Sequence, residues 1–160
     1  MALIVQKYGG TSVANPERIK NVARRIARFK EQGHQLIVVL SAMSGETNKL
    51  IALAKEMQPT PDPRELDAVV STGEQVTIGL LAMGLKAIGV DAKSYTGGQV
   101  KVLTDDTFTK ARILSIDDAN IRADLDAGRV VIVAGFQGVD AAGNITTLGR
   151  GGSDTSAVAL

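Results

Sequence analysis

The 160-residue chain is predicted to be an α/β domain built on parallel strands. Three observations carry this. Short apolar runs rich in β-branched residues recur at residues 2–6, 35–40 and 129–134. Segments with apolar residues at helical spacing alternate with these runs. Several of the runs end abruptly in glycine or hydroxyl residues, as strands feeding tight turns do. Apolar runs without strict alternation suit strands covered on both faces rather than a sheet with one wet side.

Residues 2–6 read as a buried strand that stops at Lys7-Tyr8-Gly9-Gly10-Thr11-Ser12. Asn15-Pro16 then supplies an N-cap and a first helical residue. Ile19, Val22, Ala23, Ile26 and Phe29 form the apolar stripe of the helix, and Gly33 closes it. Its cations, Arg18, Lys20, Arg24, Arg25, Arg28 and Lys30, surround that stripe and read as a solvated face. Residues 35–40 are a second strand ending in Ser41-Ala42-Met43-Ser44-Gly45-Glu46-Thr47, ahead of a helix over 48–57 with Leu50, Ile51, Leu53 and Ala54 inward. Three of the four prolines make 58–63 a loop. A long apolar helical pattern runs over 64–89 through Leu66, Val69, Val70, Val76, Ile78, Leu80, Leu81, Met83 and Leu85, broken at Ser71-Thr72-Gly73-Glu74. Residues 90–95 read as a strand, and 100–103 and 111–116 as short β pieces among polar turns. A helix over 118–126 ends at Gly128, and strand 129–134 leads into Gly135-Phe136-Gln137-Gly138. Residues 140–144 are a hairpin tip with Gly143 or Asn144 at positive φ. The hairpin delivers the chain to Thr147-Leu148-Gly149-Arg150-Gly151-Gly152-Ser153-Asp154, where Ser153 or Asp154 caps a final helix. No repeat, low-complexity segment or interdomain linker is evident.

Composition removes several function classes. A net charge of +1 argues against a general polyanion binder, and 3% aromatic residues leave little for base stacking, so no nucleic-acid partner is expected. The absence of cysteine excludes disulfides and thiol chemistry and fits a reducing compartment. His34 is the only histidine, so histidine triads and two-histidine metal sites are out of reach, and no metal ligands are assigned. The longest mostly apolar run, 78–90, is interrupted by Lys86 and too short to cross a bilayer. The expectation is a cytoplasmic protein without a membrane partner. Any chemistry must come from lysine, arginine, carboxylates, hydroxyls and backbone amides.

Two segments look built for anions. Lys7 with the amides of Gly9 and Gly10 matches a phosphate cradle, although the order of residues is not that of a Walker A loop. In residues 147–154 three glycines allow close backbone approach, Arg150 offers a planar fork, and a helix start adds its dipole. Each reads equally, taken alone, as a structural turn with an exposed cation. Ser41 and Thr47 would sit near the first glycine turn, at the carboxyl ends of the strands, or act simply as helix caps. Glu74, inside an apolar stretch, either faces a ligand ammonium or escapes to solvent at the helix break.

Lys7-Tyr8-Gly9-Gly10-Thr11-Ser12, Ser71-Thr72-Gly73-Glu74, Gly135-Phe136-Gln137-Gly138 and 147–154, in this order and spacing, resemble the aspartate kinases of the amino acid kinase superfamily over the whole chain. The resemblance implies a three-layer αβα sandwich around a mostly parallel sheet. It implies phosphorylation of the β-carboxylate of L-aspartate by ATP with Mg²⁺, giving 4-phospho-L-aspartate at the entry to lysine, threonine and methionine synthesis. Lys7 and Asp154 would be catalytic; Lys7, Tyr8, Gly9, Gly10 and Ser41 would hold the nucleotide; Thr47, Glu74, Arg150, Gly151, Gly152 and Ser153 would form the aspartate pocket. Aspartate kinases continue beyond the equivalent of Leu160 through further nucleotide-binding strands and regulatory ACT domains. Residues 1–160 are therefore expected to be the N-terminal, acceptor-binding part of such a kinase domain, inactive alone, and to associate as a homo-oligomer or with the missing part. The alternatives are another amino acid kinase, of the acetylglutamate, glutamate or uridylate type, and a non-catalytic module binding an amino acid or anion.

Overall fold

A computed structural model describes residues 1–149 and 152–160. Strand β1 (Leu3–Tyr8) leads through the glycine turn to helix α1 (Pro16–Glu31), then to β2 (Gln35–Leu40) and α2 (Glu46–Met57). Helices α3 (Pro63–Val70) and α4 (Thr72–Ala87) follow, then β3 (Ala92–Tyr95), β4 (Val102–Thr104), β5 (Ile113–Ile116) and α5 (Ala119–Asp126). Strands β6 (Val130–Ala134), β7 (Gln137–Val139) and β8 (Ile145–Thr147) precede α6 (Gly152–Ala159).

Four strands form a wholly parallel sheet in the order β1-β2-β6-β3. Its two faces are separated by residue parity. Leu36, Val38, Leu40, Val130, Ile132 and Ala134 point toward α1 and α4 and make one core with Ile19, Val22, Ile26, Ile78, Leu81 and Leu85. Ile37, Val131 and Val133 point the other way, where Tyr95, Val102, Ile121, Leu125 and, at the end of α6, Leu160 cover them. This is the αβα sandwich expected. Because β2 and β6 are covered on both faces, both parities must be apolar, which explains their unbroken runs of valine, isoleucine and leucine.

The start of α1 forms as its sequence predicts: the Asn15 side chain accepts from the Arg18 amide at 2.9 Å, and Gly33 takes φ +86°. Its basic residues project outward, only Lys30 among them being half-buried. Several expectations need correcting. β1 is an edge strand, with Leu3 and Val5 exposed, because only β2 pairs with it. Pro63 begins a helix instead of ending a loop, since Asp62 caps α3 by accepting from the Glu65 amide. Leu53, Val69, Val76 and Met83 are exposed, lying on the outward sides of helices that are apolar on more than one face. Residues 63–87 are apolar enough to pass for a membrane span. They are two helices broken at Ser71, with Asp67 and Glu74 buried and α4 packed on α1 and the sheet.

A second sheet, mixed in direction and ordered β5-β4-β7-β8, was not legible as a unit. Its strands are three or four residues long, and its order departs from chain order because β4 pairs in parallel with β7. Gly143 at φ +85° makes the β7–β8 hairpin tip, and the Asp140 side chain accepts from the amides of Ala142 and Asn144. Asp67 joins this sheet to α3. It is fully buried; Oδ2 accepts from the amides of Thr109 and Thr147, each at 2.9 Å, and Oδ1 from the Thr147 hydroxyl at 2.7 Å. Substituting Asp67→Asn replaces one acceptor oxygen by an NH2 donor facing donors and is expected to lower stability by about 1–3 kcal/mol. An unchanged urea midpoint would show that the link between α3 and β8 carries no stability.

Candidate functional site

In a parallel sheet the carboxyl ends of the strands lie along one edge, and ligands bind in the crevice outside them. Here β1, β2 and β6 end there in Tyr8, Leu40 and Ala134, and a cavity of about 360 Å³ opens beyond them. Lys7, Gly10, Ser41, Thr47, Glu74 and Asp154 all line it. Six residues assigned from the sequence, drawn from turns and elements far apart in the chain, thus converge on one space. Met43, Ser44, Asn48 and Phe136 complete much of the wall and were not assigned roles from the sequence, although Met43, Ser44 and Phe136 lie in segments singled out above.

The walls hold one another at backbone distance. Gly10 packs against the turn after β2: a Cβ there would stand 3.0 Å from the Ala42 carbonyl oxygen, and the Ser44 amide donates to the Gly10 carbonyl at 3.1 Å. The first turns of α4 dock on the same segment. The Thr77 hydroxyl donates to the Ser41 carbonyl at 2.9 Å, and a Cβ on Gly73 would come within 2.8 Å of the Ala42 methyl group. Glycine is required at 73 for this approach, not for a special φ. Phe136 sits at φ +72° at the end of β6, a conformation costly for a side chain with a Cβ; its amide donates to Ser156 Oγ of α6 at 3.2 Å.

Glu74 is 2% exposed. Burial pushes its carboxyl up to about 7, against donors that favour the charged form: the amides of Glu74 itself and of Ala42, and the Gln137 side chain. Even so, Oε2 has no hydrogen-bond partner. A buried carboxylate oxygen left in this state is costly unless a cationic group completes it. Lys7 lies on the face of β1 turned toward α6 and pairs with Asp154, Nζ to Oδ1 3.0 Å, both partly open to solvent. The N-terminal residues of α2 (Thr47), α4 (Glu74) and α6 (Asp154) all border the cavity, so three positive helix ends add to Lys7. The cavity therefore offers a cationic region and one buried anionic position.

Two assigned residues fall outside the lining. The Tyr8 ring is packed in the core beside α1, its hydroxyl donates to Gln6 Oε1 at 3.0 Å, and burial raises its pKa. The Tyr8 side chain thus lies outside the cavity lining, because even-numbered residues of β1 face α1. Gly9 does not line the cavity, yet its missing Cβ would stand 3.7 Å from Lys7 Nζ. Arg150 and Gly151 lie outside the described residues, as does the side chain of Ser153, and Gly152 is described in its backbone alone. The backbone of α6 already begins at Gly152, so Asp154 occupies its first turn instead of capping it. Among the described residues no cluster of three or more acidic, histidine or cysteine ligands is found.

The fold, with a pocket at the carboxyl edge of its parallel sheet, agrees with the sequence profile of the amino acid kinase family, which matches residues 2–160; the chain belongs to that family. Within it the chain is similar to aspartokinases. It is 68% identical to the aspartokinase of Pseudomonas aeruginosa over its whole length, while spanning 39% of that protein. The aspartate kinase of Synechocystis superposes with a TM-score of 0.81 at 46% identity, over 98% of this chain and 26% of that one. Aspartokinase III of E. coli, solved with aspartate and ADP, superposes with a TM-score of 0.82 at 28% identity, over 96% of this chain and 45% of that one. The chain thus spans about two fifths of the curated relatives it matches.

The sign of the Glu74 effect on stability follows from its raised folded value. Between the unfolded value of 4.5 and about 7 the folded state holds the extra proton, so stability falls as pH rises through that window. The penalty is absent below it and levels off near 3 kcal/mol, as an order of magnitude, above it. Glu74→Gln is therefore expected to be the more stable form at pH 8 by roughly 1–3 kcal/mol and to lose that advantage at pH 5. Urea denaturation at the two pH values reads the difference; a constant gap between the proteins would contradict it.

Proposed function

We propose that this chain is the N-terminal, acceptor-binding part of a cytoplasmic enzyme that transfers the γ-phosphoryl group of ATP to the β-carboxylate of L-aspartate, forming 4-phospho-L-aspartate at the start of lysine, threonine and methionine synthesis. The observation that carries this reading is Glu74: a buried carboxylate with one unpartnered oxygen, in the same cavity as Lys7. Support comes from full-length matches of the chain to aspartokinases and from the E. coli neighbour solved with aspartate and ADP.

An amino acid with an acidic side chain presents one ammonium and two carboxylates. Glu74 would take the ammonium, with Thr47 at the mouth of the pocket, and Arg150, Gly151, Gly152 and Ser153 would receive a carboxylate from the glycine loop. Lys7, the amides of Gly9 and Gly10, and Ser41 would face the phosphates. A carboxylate oxygen attacks phosphorus while the bond from phosphorus to the ADP leaving oxygen breaks. No proton has to be removed from the nucleophile, so the lack of a nearby histidine is no obstacle. Lys7 then neutralises charge developing on the transferred group, exchanging its contact with Asp154 for one with phosphate. Mg²⁺ fits this donor set only as an ion shared with the nucleotide, because a single open carboxylate, Asp154, is available beside Lys7; when bound it would screen the phosphate oxygens.

Glu74 also separates this reading from kinases of N-acylated amino acids, whose substrates lack a free ammonium and would leave the buried carboxylate uncompensated. L-aspartate is accordingly expected to bind more tightly as pH rises through about 7, with proton release below that value. Isothermal titration in buffers of different ionisation enthalpy measures both; N-acetylglutamate binding better than aspartate would reject the assignment. In the enzyme of which this chain is proposed to be part, Lys7→Ala should lower kcat on the order of a hundredfold or more, with a smaller effect on the KM for aspartate. A near-normal kcat would remove Lys7 from the reacting centre.

A further inference from the structure

Phe136 stands where the chain crosses from the parallel sheet into the mixed one, and its left-handed backbone, φ +72°, is held on both flanks. On one side the Gly135 amide donates to the Leu40 carbonyl at 3.0 Å. On the other, the Gln137 side chain bridges two further segments, Nε2 donating to the Ser71 carbonyl at 2.9 Å and Oε1 accepting from the Gly97 amide at 3.4 Å. A Cβ on Gly97 would stand 2.3 Å from the Gln137 carbonyl oxygen, so backbone approach fixes residue 137 as well. A strained conformation persists where its surroundings over-determine it, and these contacts do so.

Both backbone groups of this fixed residue engage one segment of chain. Its carbonyl accepts from the Leu148 amide at 2.8 Å, and its amide donates to Ser156 Oγ at 3.2 Å. Leu148 leads into the glycine-rich loop, and Ser156 lies in α6, two residues beyond Asp154. The loop is therefore fastened at both ends to Phe136. Its entry is held through backbone and needs no particular side chain, whereas its exit needs an oxygen at position 156. Ser156 is 3% exposed, so water cannot readily replace that acceptor. Elsewhere α6 rests on β1 and β2, with Leu160 against the apolar cluster at its far end and the Lys7–Asp154 pair partly open to solvent. Apolar contacts resist separation but tolerate sliding; a buried hydrogen bond sets register.

We propose that Ser156 is a positioning residue: by accepting from the amide of Phe136 it sets α6 against the end of β6, and so places Asp154 on Lys7 and closes the base of the glycine loop. This rests on reading the cavity as the site of phosphoryl transfer. In that reading Lys7 leaves Asp154 for the phosphate, and a displaced α6 alters the spacing of the groups that meet there. Misplacement by about 1 Å is enough to slow such a reaction by one or two orders of magnitude.

The test compares Ser156→Ala, which removes the acceptor, with Ser156→Thr, which keeps it. Amide hydrogen exchange of the unliganded chain, read by mass spectrometry of its peptides, should be roughly tenfold faster over residues 148–156 in Ser156→Ala, with β2 and β6 unchanged. In the enzyme of which this chain is proposed to be part, Ser156→Ala should lower kcat about tenfold, and Ser156→Thr should bring both readings back to within about threefold. A lower melting temperature with kcat and exchange over 148–156 unchanged would make Ser156 a structural residue only and overturn the proposal. A Ser156→Thr protein as impaired as Ser156→Ala would overturn it too. Should Ser156→Ala not fold, Ser156→Cys, similar in shape but a weak acceptor, is read in its place. Absence of phosphoryl transfer to aspartate by the unsubstituted enzyme, with exchange still faster in Ser156→Ala, would remove the kinase reading and leave the positioning of α6 standing.

Discussion

The docking of the first turns of α4 on the turn after β2 is the contact on which the rest of the site depends. Gly73 lets the helix approach the Ala42 methyl group, and Thr77 ties it to the Ser41 carbonyl. The same short segment receives Gly10 from the turn after β1. One piece of backbone thus fixes the separation between the lysine-bearing turn and the buried carboxylate. A larger residue at 10 or 73 would change that separation before it touched any ligand.

This arrangement stores electrostatic asymmetry. Three helix N-termini and Lys7 make most of the cavity hospitable to anions, whereas Glu74 is held where its charge is expensive. Asp154, more exposed and paired with Lys7, occupies the cationic region. The contrast between an exposed paired acid and a buried under-coordinated one separates a displaceable contact from a preorganised one. Asp67, also buried but fully engaged by Thr109 and Thr147, shows the third case, a carboxylate whose partners are all structural. Burial alone therefore does not mark a functional acid; the unpartnered oxygen does.

Much of the fold was legible because local signals agreed with tertiary demands. The Asn15-Pro16 start, the α1 stripe, the bounds of β2, the Gly128 and Gly143 turns and the break before Glu74 all follow from propensity and periodicity. The second sheet was not, since strands of three residues carry too little pattern and β4 and β7 are neighbours only through a parallel pairing distant in sequence. Leu53 was misplaced, and the outward sides of Val76 and Met83 were not legible, because apolar helices give no internal sign of which side faces out. The bridging role of Gln137 was missed for a related reason: nothing local distinguishes a glutamine whose side chain joins the Ser71 carbonyl to the Gly97 amide from one that merely fills a strand.

By itself the amino-acid sequence determined the alternation of strands and helices, the glycines that allow close approach, and the set of residue types from which a site without histidine or cysteine could be made. Only the tertiary structure decided which of these meet. It turned Lys7 toward α6 and Tyr8 into the core through strand parity, left one oxygen of Glu74 without a partner, and brought Gly97 against Gln137. The reason is physical: propensities and patterns act over a few residues, whereas desolvation and hydrogen-bond completion depend on neighbours supplied by distant parts of the chain.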